Sequence, residues 1–233
     1  MQLFYVSKEE LNKKQLSVEE SNHCIRVLRK VEQDEIILID GQGGKYSAII
    51  QNANPKACEF KVISDEKSVY NLPALHIAIA PTKNLDRFEF FIEKACELGI
   101  KEITPILTFN SERKHLNVEK LIKKMVGACK QSYTLHFPVI NEAVKYTSFL
   151  KQEAVQKTAQ KLIGHCYSHE TPHLNTVDTK KETILLIGPE GDFSQEEITL
   201  AEQNGFQAIS LGDKRLRTET AGVFACAIFN LKN

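Results

Sequence analysis

The sequence predicts an α/β protein (α+β overall) in two parts: a small β-barrel domain at residues 1–68 and an α/β domain at residues 72–233. Before Asp65, closely spaced β-type runs are separated by short turns, which favours a small barrel. After Pro73, buried strands alternate with amphipathic helices, which favours a mostly parallel sheet. Hydrophobic residues make up 42% of the 233 residues, enough for a sizeable core.

The first part begins with a capping-box spacing at Ser17–Glu20, which predicts a helix running to Val27 and Leu28. Three β-type runs follow, at Glu35–Asp40, Lys45–Ile50 and Ala57–Ile63. The glycine-rich stretch between the first two is typical of a hairpin turn. The polar segment Asp65–Pro73 is the predicted linker.

The second part alternates strand and helix throughout. Predicted strands are Leu75–Ala80, Glu102–Phe109, Lys161–Gly164 and Thr183–Ile187. Predicted helices are Leu85–Leu98, Val118–Tyr133, a helix capped by Ser194 that runs to about Asn204, and Glu219–Leu231. This alternation is the basis for the α/β prediction.

Membrane and metal-binding classes find little support in the chain. No stretch approaches the ~18 apolar residues of a membrane span, and the N-terminus lacks a secretory pattern. We therefore expect a cytoplasmic protein with no membrane partner and with its six cysteines free and buried. His165, His169 and His173 are evenly spaced but lie in a predicted loop, so we predict no metal site. His165, which follows a strand, is instead a candidate neighbour of a bound cofactor.

A glycine-rich turn, Ile187–Ser194, joins a buried strand to a capped helix. Glycines let a ligand approach the backbone, and ligands of α/β sheets bind at the carboxyl ends of strands. The turn matches neither the dinucleotide fingerprint nor the phosphate-binding loop, which disfavours a nucleotide-dependent oxidoreductase. Taken alone, it is equally compatible with an ordinary strand-to-helix turn.

A second turn, Leu211–Ala221, leads into the last helix, for which Thr218 is the predicted N-cap. Lys214, Arg215 and Arg217 crowd just before this helix N-terminus, where the helix dipole disfavours positive charge. Cations in that position indicate a bound anion.

Together the two turns resemble the RsmE-type family, 16S ribosomal RNA uridine-N3 methyltransferases of the SPOUT superfamily. The resemblance covers nearly the whole chain. Further matching positions are His23, Val27–Arg29, Lys83, Asp86, Arg87, Glu89, Lys94, Glu97–Gly99, Ser111–Arg113 and Gln131–Ser132. The chain departs from the family at Asp192, where a second glycine is usual, and at Tyr133–Thr134, where an arginine is usual.

The resemblance implies a PUA-like β-barrel, a SPOUT domain with a trefoil knot, a homodimer, and S-adenosylmethionine bound in a bent form among the knot loops. It places cofactor binding at Ile187, Gly188, Pro189, Glu190, Gly191, Leu211, Gly212, Leu216, Arg217 and Thr218. The implied partner is 16S ribosomal RNA in the small ribosomal subunit.

For uridine-N3 methylation, Arg217 is the predicted cation that stabilises the anionic base, and Glu190 the predicted proton acceptor. A backbone-capping role for Glu190 is an equal alternative. The candidate phosphate contacts are the cations Arg26, Arg29, Lys30, Lys83, Arg87, Arg113 and Lys114. The altered residues Asp192 and Thr134 leave a second hypothesis, an RNA-binding or ribosome-assembly module that has lost catalysis.

Net charge alone argues against a strongly basic RNA binder, because 30 Lys and Arg balance 30 Asp and Glu. The charges are segregated, however, and the stretch from His23 to Lys30 has three cationic residues and no acid. Neutrality therefore predicts weak non-specific binding and dependence on a structured target.

Overall fold

The computed structural model describes residues 2–70, 74–167 and 171–232. The chain forms two compact units: Met1–Asn71 with Val126–Phe137, and Leu72–Met125 with Pro138–Asn233. The sequence placed residues 126–137 in the second domain, whereas their packing groups them with the first unit.

The first unit is built on a four-stranded sheet in the order β1-β2-β3-β4, in which only the β1–β2 pair is parallel. Its core contains the buried side chains of Phe4, Leu38, Ile50 and Phe60. The three predicted strands are confirmed as β2, β3 and β4. The elements in chain order are β1 (Leu3–Tyr5), α1 (Lys8–Lys13), α2 (Val18–Asn22), a π-helical turn (His23–Val27), β2 (Glu35–Ile39), β3 (Gly44–Asn52) and β4 (Glu59–Lys67).

Two predictions for the first unit need correction. Ser17 does cap α2, since its hydroxyl accepts a hydrogen bond from the Glu20 amide. The α-helix ends at Asn22, however, and the next five residues form the π-helical turn. Strand β4 extends into the predicted linker as far as Lys67, because it pairs with β3 along its whole length. The end of that linker, residues 71–73, lies outside the described part of the chain.

The second unit contains a parallel sheet in the order β11-β9-β10-β5-β6-β7, with β8 also paired to β6. This confirms the predicted α/β arrangement. The elements are β5 (Leu75–Ile79), α3 (Leu85–Glu97), β6 (Glu102–Leu107), α4 (Val118–Gln131), β7 (Val139–Ile140), β8 (Val144–Lys145), α5 (Tyr146–Leu150), α6 (Glu153–Lys157), β9 (Gln160–Gly164), β10 (Thr183–Ile187), α7 (Gln195–Gln203), β11 (Gln207–Ile209) and α8 (Thr218–Leu231). The end of α4, from Val126, belongs to the first unit.

Strand β10 lies between β9 and β5 and is buried along its entire length. Its last residue, Ile187, is in register with Gly164 of β9, and Gly164 is also in register with Ile209 of β11. Three parallel strands therefore end at the same level. The loops that follow them emerge side by side at the carboxyl edge of the sheet, where α/β folds bind ligands.

All six cysteines are free, and all but the exposed Cys166 are buried as predicted. Within the described ranges, no helix is both long and apolar enough to span a bilayer.

Candidate functional site

A cavity of about 480 Å³ opens at the carboxyl ends of β9, β10 and β11. The loops that follow these three strands supply nearly all of its lining. The lining residues are Gly164–Cys166, Ile187–Glu190, Asp192, Ile209–Thr218 and Ala221. The volume lies within the range usual for pockets that bury a small-molecule ligand. We call this space the strand-end cavity.

Every predicted cofactor residue except Gly191 lines the strand-end cavity. Gly191 instead packs against Asn110, whose amide nitrogen lies 3.3 Å from the Gly191 carbonyl oxygen. A Cβ on Gly191 would come within 3.2 Å of the Asn110 Cβ. Gly191 therefore supports the conformation of the turn without lining the cavity. Its predicted role in cofactor binding stays a prediction.

The two sequence motifs meet through a buried hydrogen bond. The Thr218 hydroxyl donates to the Gly188 carbonyl oxygen at 3.0 Å. Thr218 is therefore not the N-cap of α8. That position belongs to Arg217, and the Thr218 side chain ties the second motif to the first. An added Cβ at Gly188 would lie 3.1 Å from the Phe193 ring, so a larger residue there would require the ring to shift by a few tenths of an ångström.

Glu190 connects three segments of the second unit. One carboxylate oxygen accepts a hydrogen bond from the Lys83 amide at 3.0 Å, and its backbone carbonyl accepts one from the Arg215 guanidinium at 3.0 Å. The first contact agrees with the backbone-capping role, because it satisfies an amide of the loop after β5. The proton-acceptor role stays a prediction.

Asp192 occupies the position where the family usually has glycine, and its backbone explains that preference. Its φ of +63° is in the left-handed region, which aspartate tolerates better than most residues. The carboxylate accepts from the Phe193 amide at 2.8 Å and from the Cys166 amide at 2.9 Å. Although Cys166 is exposed as a residue, partial desolvation of its thiol, reinforced by the Asp192 charge, raises the pKa of that thiol. Asp192 thus joins two loops of the cavity, a role that the sequence did not reveal.

The cations of the second motif directly precede the N-terminus of α8 in the chain. Lys214, Arg215 and Arg217 are exposed and line the cavity. The helix dipole adds positive potential at the same place, so the region suits an anionic group or a developing negative charge. Glu219, in the first turn of α8, is buried, with its nearer carboxylate oxygen 4.0 Å from Arg87.

His165 lines the cavity and has a buried ring nitrogen without a partner among the described residues. Its Nδ1 accepts a hydrogen bond from the Tyr167 amide at 3.2 Å, which in the neutral ring places the hydrogen on Nε2. Nε2 is buried and has no partner within the described residues. The ring therefore offers a donor in a cavity whose ligand would need to satisfy it.

The histidines do not assemble a metal site in the described ranges. His173 caps a short 3₁₀ turn by accepting from the Asn175 amide at 3.0 Å. His169 lies outside the described residues. No group of three potential ligands is close enough to hold a metal among the residues that are described.

The candidate phosphate contacts differ in whether their side chains already bind other groups of the protein. Arg26, Arg29 and Lys114 are exposed. Lys30 donates to the Glu35 carbonyl oxygen at 3.3 Å. Lys83 pairs with a glutamate, Glu112, at 2.8 Å.

Arg113 binds the carbonyl oxygens of Thr82 and Lys83, at 3.2 Å and 2.7 Å. The structure thus brings Lys83 and Arg113 together. Both of these hydrogen bonds hold the Arg113 guanidinium against the backbone of the loop after β5.

Two family models match the chain, an RNA methyltransferase domain at residues 70–230 and an RNA methyltransferase PUA domain at residues 10–63. Ribosomal RNA small subunit methyltransferase E of Mesomycoplasma hyopneumoniae is 33% identical over 229 residues, covering 96% of each chain. A crystal structure of a probable rRNA-methyltransferase from Porphyromonas gingivalis is 34% identical with a TM-score of 0.90, covering 100% of this chain and 98% of that one.

A putative methyltransferase from Legionella pneumophila, solved in complex with the bound cofactor SAM, is 28% identical with a TM-score of 0.85, covering 98% of this chain and 96% of that one. These similarities confirm the expected PUA and methyltransferase domains, while the knot stays a prediction. The chain belongs to the RNA methyltransferase family and, within it, groups with ribosomal RNA small subunit methyltransferase E.

Proposed function

We propose that this protein transfers a methyl group from S-adenosylmethionine to N3 of a specific uridine in 16S ribosomal RNA. The observation that carries the proposal is the strand-end cavity, in which the two motifs typical of the family are joined by the Thr218–Gly188 hydrogen bond. The name of the Mesomycoplasma relative and the bound cofactor of the Legionella structure support the substrate class and the methyl donor.

The residues of the cavity fit the proposed methyl donor. Its volume of about 480 Å³ suits a molecule of that size. The buried Nε2–H of His165 is a donor for a polar group of the ligand. We assign binding to Ile187–Glu190, Leu211, Gly212 and Leu216–Thr218, with His165 added. When bound, S-adenosylmethionine supplies a methyl group already activated by its sulfonium.

The protein must then hold the uridine in place and manage one proton. Loss of the N3 proton leaves negative charge on the uracil ring, and Arg217 at the N-terminus of α8 stabilises it. Glu190 accepts the proton or holds the Lys83 loop in place, and these two roles make different predictions.

The variant Glu190→Gln separates these roles. The amide oxygen of glutamine can still accept from Lys83, so a purely positioning residue would leave turnover near that of the parent. A proton acceptor would lose most of its turnover, because the amide cannot take the proton. Normal kcat in a folded Glu190→Gln protein would therefore remove Glu190 from the chemistry.

Uridine N3 is buried in a Watson–Crick pair, so the target must be unpaired or turned out of its helix. Arg26 and Arg29 in the first unit, and Lys83 and Lys114 in the second, are the candidate phosphate contacts with exposed side chains. Their small number agrees with weak non-specific binding. We therefore expect an assembled small subunit to be a better substrate than naked RNA.

We also infer a homodimer and a cytoplasmic location. The dimer is supported by exposed apolar side chains on adjacent helices of the second unit, since Phe90 of α3 and Phe224 of α8 are 48% and 38% exposed. Molar mass measured by light scattering tests it, and a monomer at micromolar concentration would contradict it.

Two measurements test the central proposal. Calorimetry should detect S-adenosylmethionine binding to the purified protein. Mass spectrometry of ribosomal RNA from a deletion strain should show the loss of one methyluridine, restored by the intact gene. Binding of RNA without any binding of S-adenosylmethionine would instead favour an assembly module that has lost catalysis. Asp192 no longer motivates that alternative, since its backbone and carboxylate fit the loop.

A further inference from the structure

A second, smaller cavity of about 240 Å³ lies in the first unit, where α2 passes into the π-helical turn. We call it the π-turn notch. It is lined by Glu19, Glu20, Asn22, His23, Val27 and Lys130. A π-helical turn changes the direction in which helical side chains point and is often found at functional sites. Nothing in the proposed methyl transfer uses these residues.

Glu20 is the unusual residue of the notch. It is only 8% exposed, and one carboxylate oxygen, Oε1, accepts from the Lys130 ammonium at 2.5 Å. The other oxygen, Oε2, is buried and has no hydrogen-bond partner among the described residues. A buried charged oxygen without a donor is costly, so a ligand that brings an N–H group would be favoured there.

Lys130 provides the complementary group. Its side chain is 16% exposed, and an ammonium has three donors, of which the contact with Glu20 uses one. The notch therefore offers an acceptor, Glu20 Oε2, beside a donor, Lys130 Nζ. The Watson–Crick edge of a nucleobase presents the matching pair, an N–H next to a carbonyl oxygen or ring nitrogen.

The surroundings of the notch fit a single strand of RNA. Val27 is 61% exposed and offers an apolar surface to the face of a base. Arg26 and Arg29 are exposed on the adjoining segment, and no acidic residue occurs between His23 and Lys30. These cations suit the phosphates on either side of a bound nucleotide. The volume is below that of pockets for drug-sized ligands, which suits one base with its sugar outside.

We propose that the π-turn notch binds one unpaired base of the RNA, with Glu20 Oε2 accepting a base N–H and Lys130 donating to the neighbouring acceptor. The inference rests on the proposed function only in taking RNA as the ligand. The notch then fixes which nucleotide of a single-stranded segment the first unit holds.

Fluorescence anisotropy with a uridine hexamer and an abasic hexamer of equal phosphate count tests this proposal. In Glu20→Gln the amide oxygen keeps the contact with Lys130 and an NH2 group replaces Oε2, so the acceptor becomes a donor. Binding of the uridine hexamer should therefore weaken about tenfold, the effect of removing one good hydrogen-bonded base interaction. The substitution should leave the abasic hexamer and the salt dependence unchanged. Arg26→Gln is the matched control, since it should weaken both probes alike and reduce the salt dependence. Adenosine and cytidine hexamers then report which base is preferred.

A second variant serves as a check on folding, because Glu20→Gln leaves the Lys130 ammonium without its charged partner. Replacing both members of a buried ion pair by apolar residues is often tolerated, so Glu20→Leu combined with Lys130→Met should fold and lose the same base-dependent binding. The proposal is overturned if the variants bind the uridine hexamer like the parent, or if they lose the abasic hexamer equally. The assay contains no methyl donor, so a failure of the proposed methyl transfer would leave this result unchanged.

Discussion

The strand-end cavity and the π-turn notch are built in different ways. The cavity is lined by consecutive residues in the loops after three aligned strands. The notch depends on two side chains, Glu20 and Lys130, that are 110 positions apart in the chain. A site made from consecutive loop residues leaves a motif in the sequence. A site made from one distant pair leaves none, so only the folded chain reveals it.

The largest effect is expected at the cavity, from Arg217→Gln. Removing a group that stabilises charge in the transition state typically lowers kcat by about 100- to 1000-fold. Because Arg217 is the exposed N-cap of α8 without a capping side-chain bond, the fold should remain intact. Single-turnover methylation of small subunits measures the rate, and calorimetry should show nearly unchanged S-adenosylmethionine binding. Lys214→Gln, an exposed neighbour, is the control, and an equal loss there would mean that the loop's total charge matters rather than Arg217.

The next largest effect is expected from Thr218→Val, which tests whether the two motifs act as one site. The valine keeps the volume but leaves the buried Gly188 carbonyl without its donor, which costs about 1–3 kcal/mol of unfolding free energy. The glycine turn should loosen, and affinity for S-adenosylmethionine should fall. Urea unfolding and calorimetry measure the two effects. The exposed Thr220→Val in the same helical turn should change neither, and a normal affinity in Thr218→Val would show that the motifs bind independently.

The same contrast, between consecutive loop residues and pairs distant in the chain, explains which features of the cavity are predictable from the sequence. Strand patterning located the carboxyl end of β10, and the glycines after it indicated a ligand. Local chemistry could not show that the Thr218 hydroxyl faces the Gly188 carbonyl, because a threonine before a helix suits an N-cap equally well. Nor could it show that Glu190 reaches the Lys83 amide, 107 positions away.

The fold was predictable wherever a segment was long and periodic. The strands β2–β6 and β9–β10 and the helices α3, α4, α7 and α8 all gave such patterns. The two-residue strands β7 and β8 are too short to show a period. Helical periodicity in α4 predicts a helix but not its neighbours, so it does not predict that residues 126–137 pack with the first unit.

On the notch side, reversing the charge of Arg26 and Arg29 together should weaken RNA binding and flatten its salt dependence. For a single strand, each phosphate that the protein no longer neutralises reduces the slope of log K against log salt by about 0.7. Titration of a uridine hexamer at several salt concentrations measures the slope, and circular dichroism checks the fold. If the slope is unchanged, these two residues bind no phosphates, and the notch would have no flanking cations for the RNA backbone. The same change at Lys56 and Lys61, elsewhere in the first unit, is the control for overall charge.

The smallest expected effect is a difference between the two units in how much stability each loses at acid pH. Burial lowers the pKa of His76, whose Nε2 lies 2.8 Å from the Thr104 hydroxyl, although the nearby Glu102 opposes the shift. A histidine with a lowered pKa in the folded state binds its proton more readily when unfolded. The unfolding free energy therefore falls as the pH drops below the ordinary value of 6.5. His76 belongs to the second unit, so hydrogen exchange at pH 5.5 compared with pH 7.5 should show the loss of protection there, while the first unit changes less. His76→Gln should reduce this difference between the units; equal acid sensitivity in that variant would assign the effect to other groups.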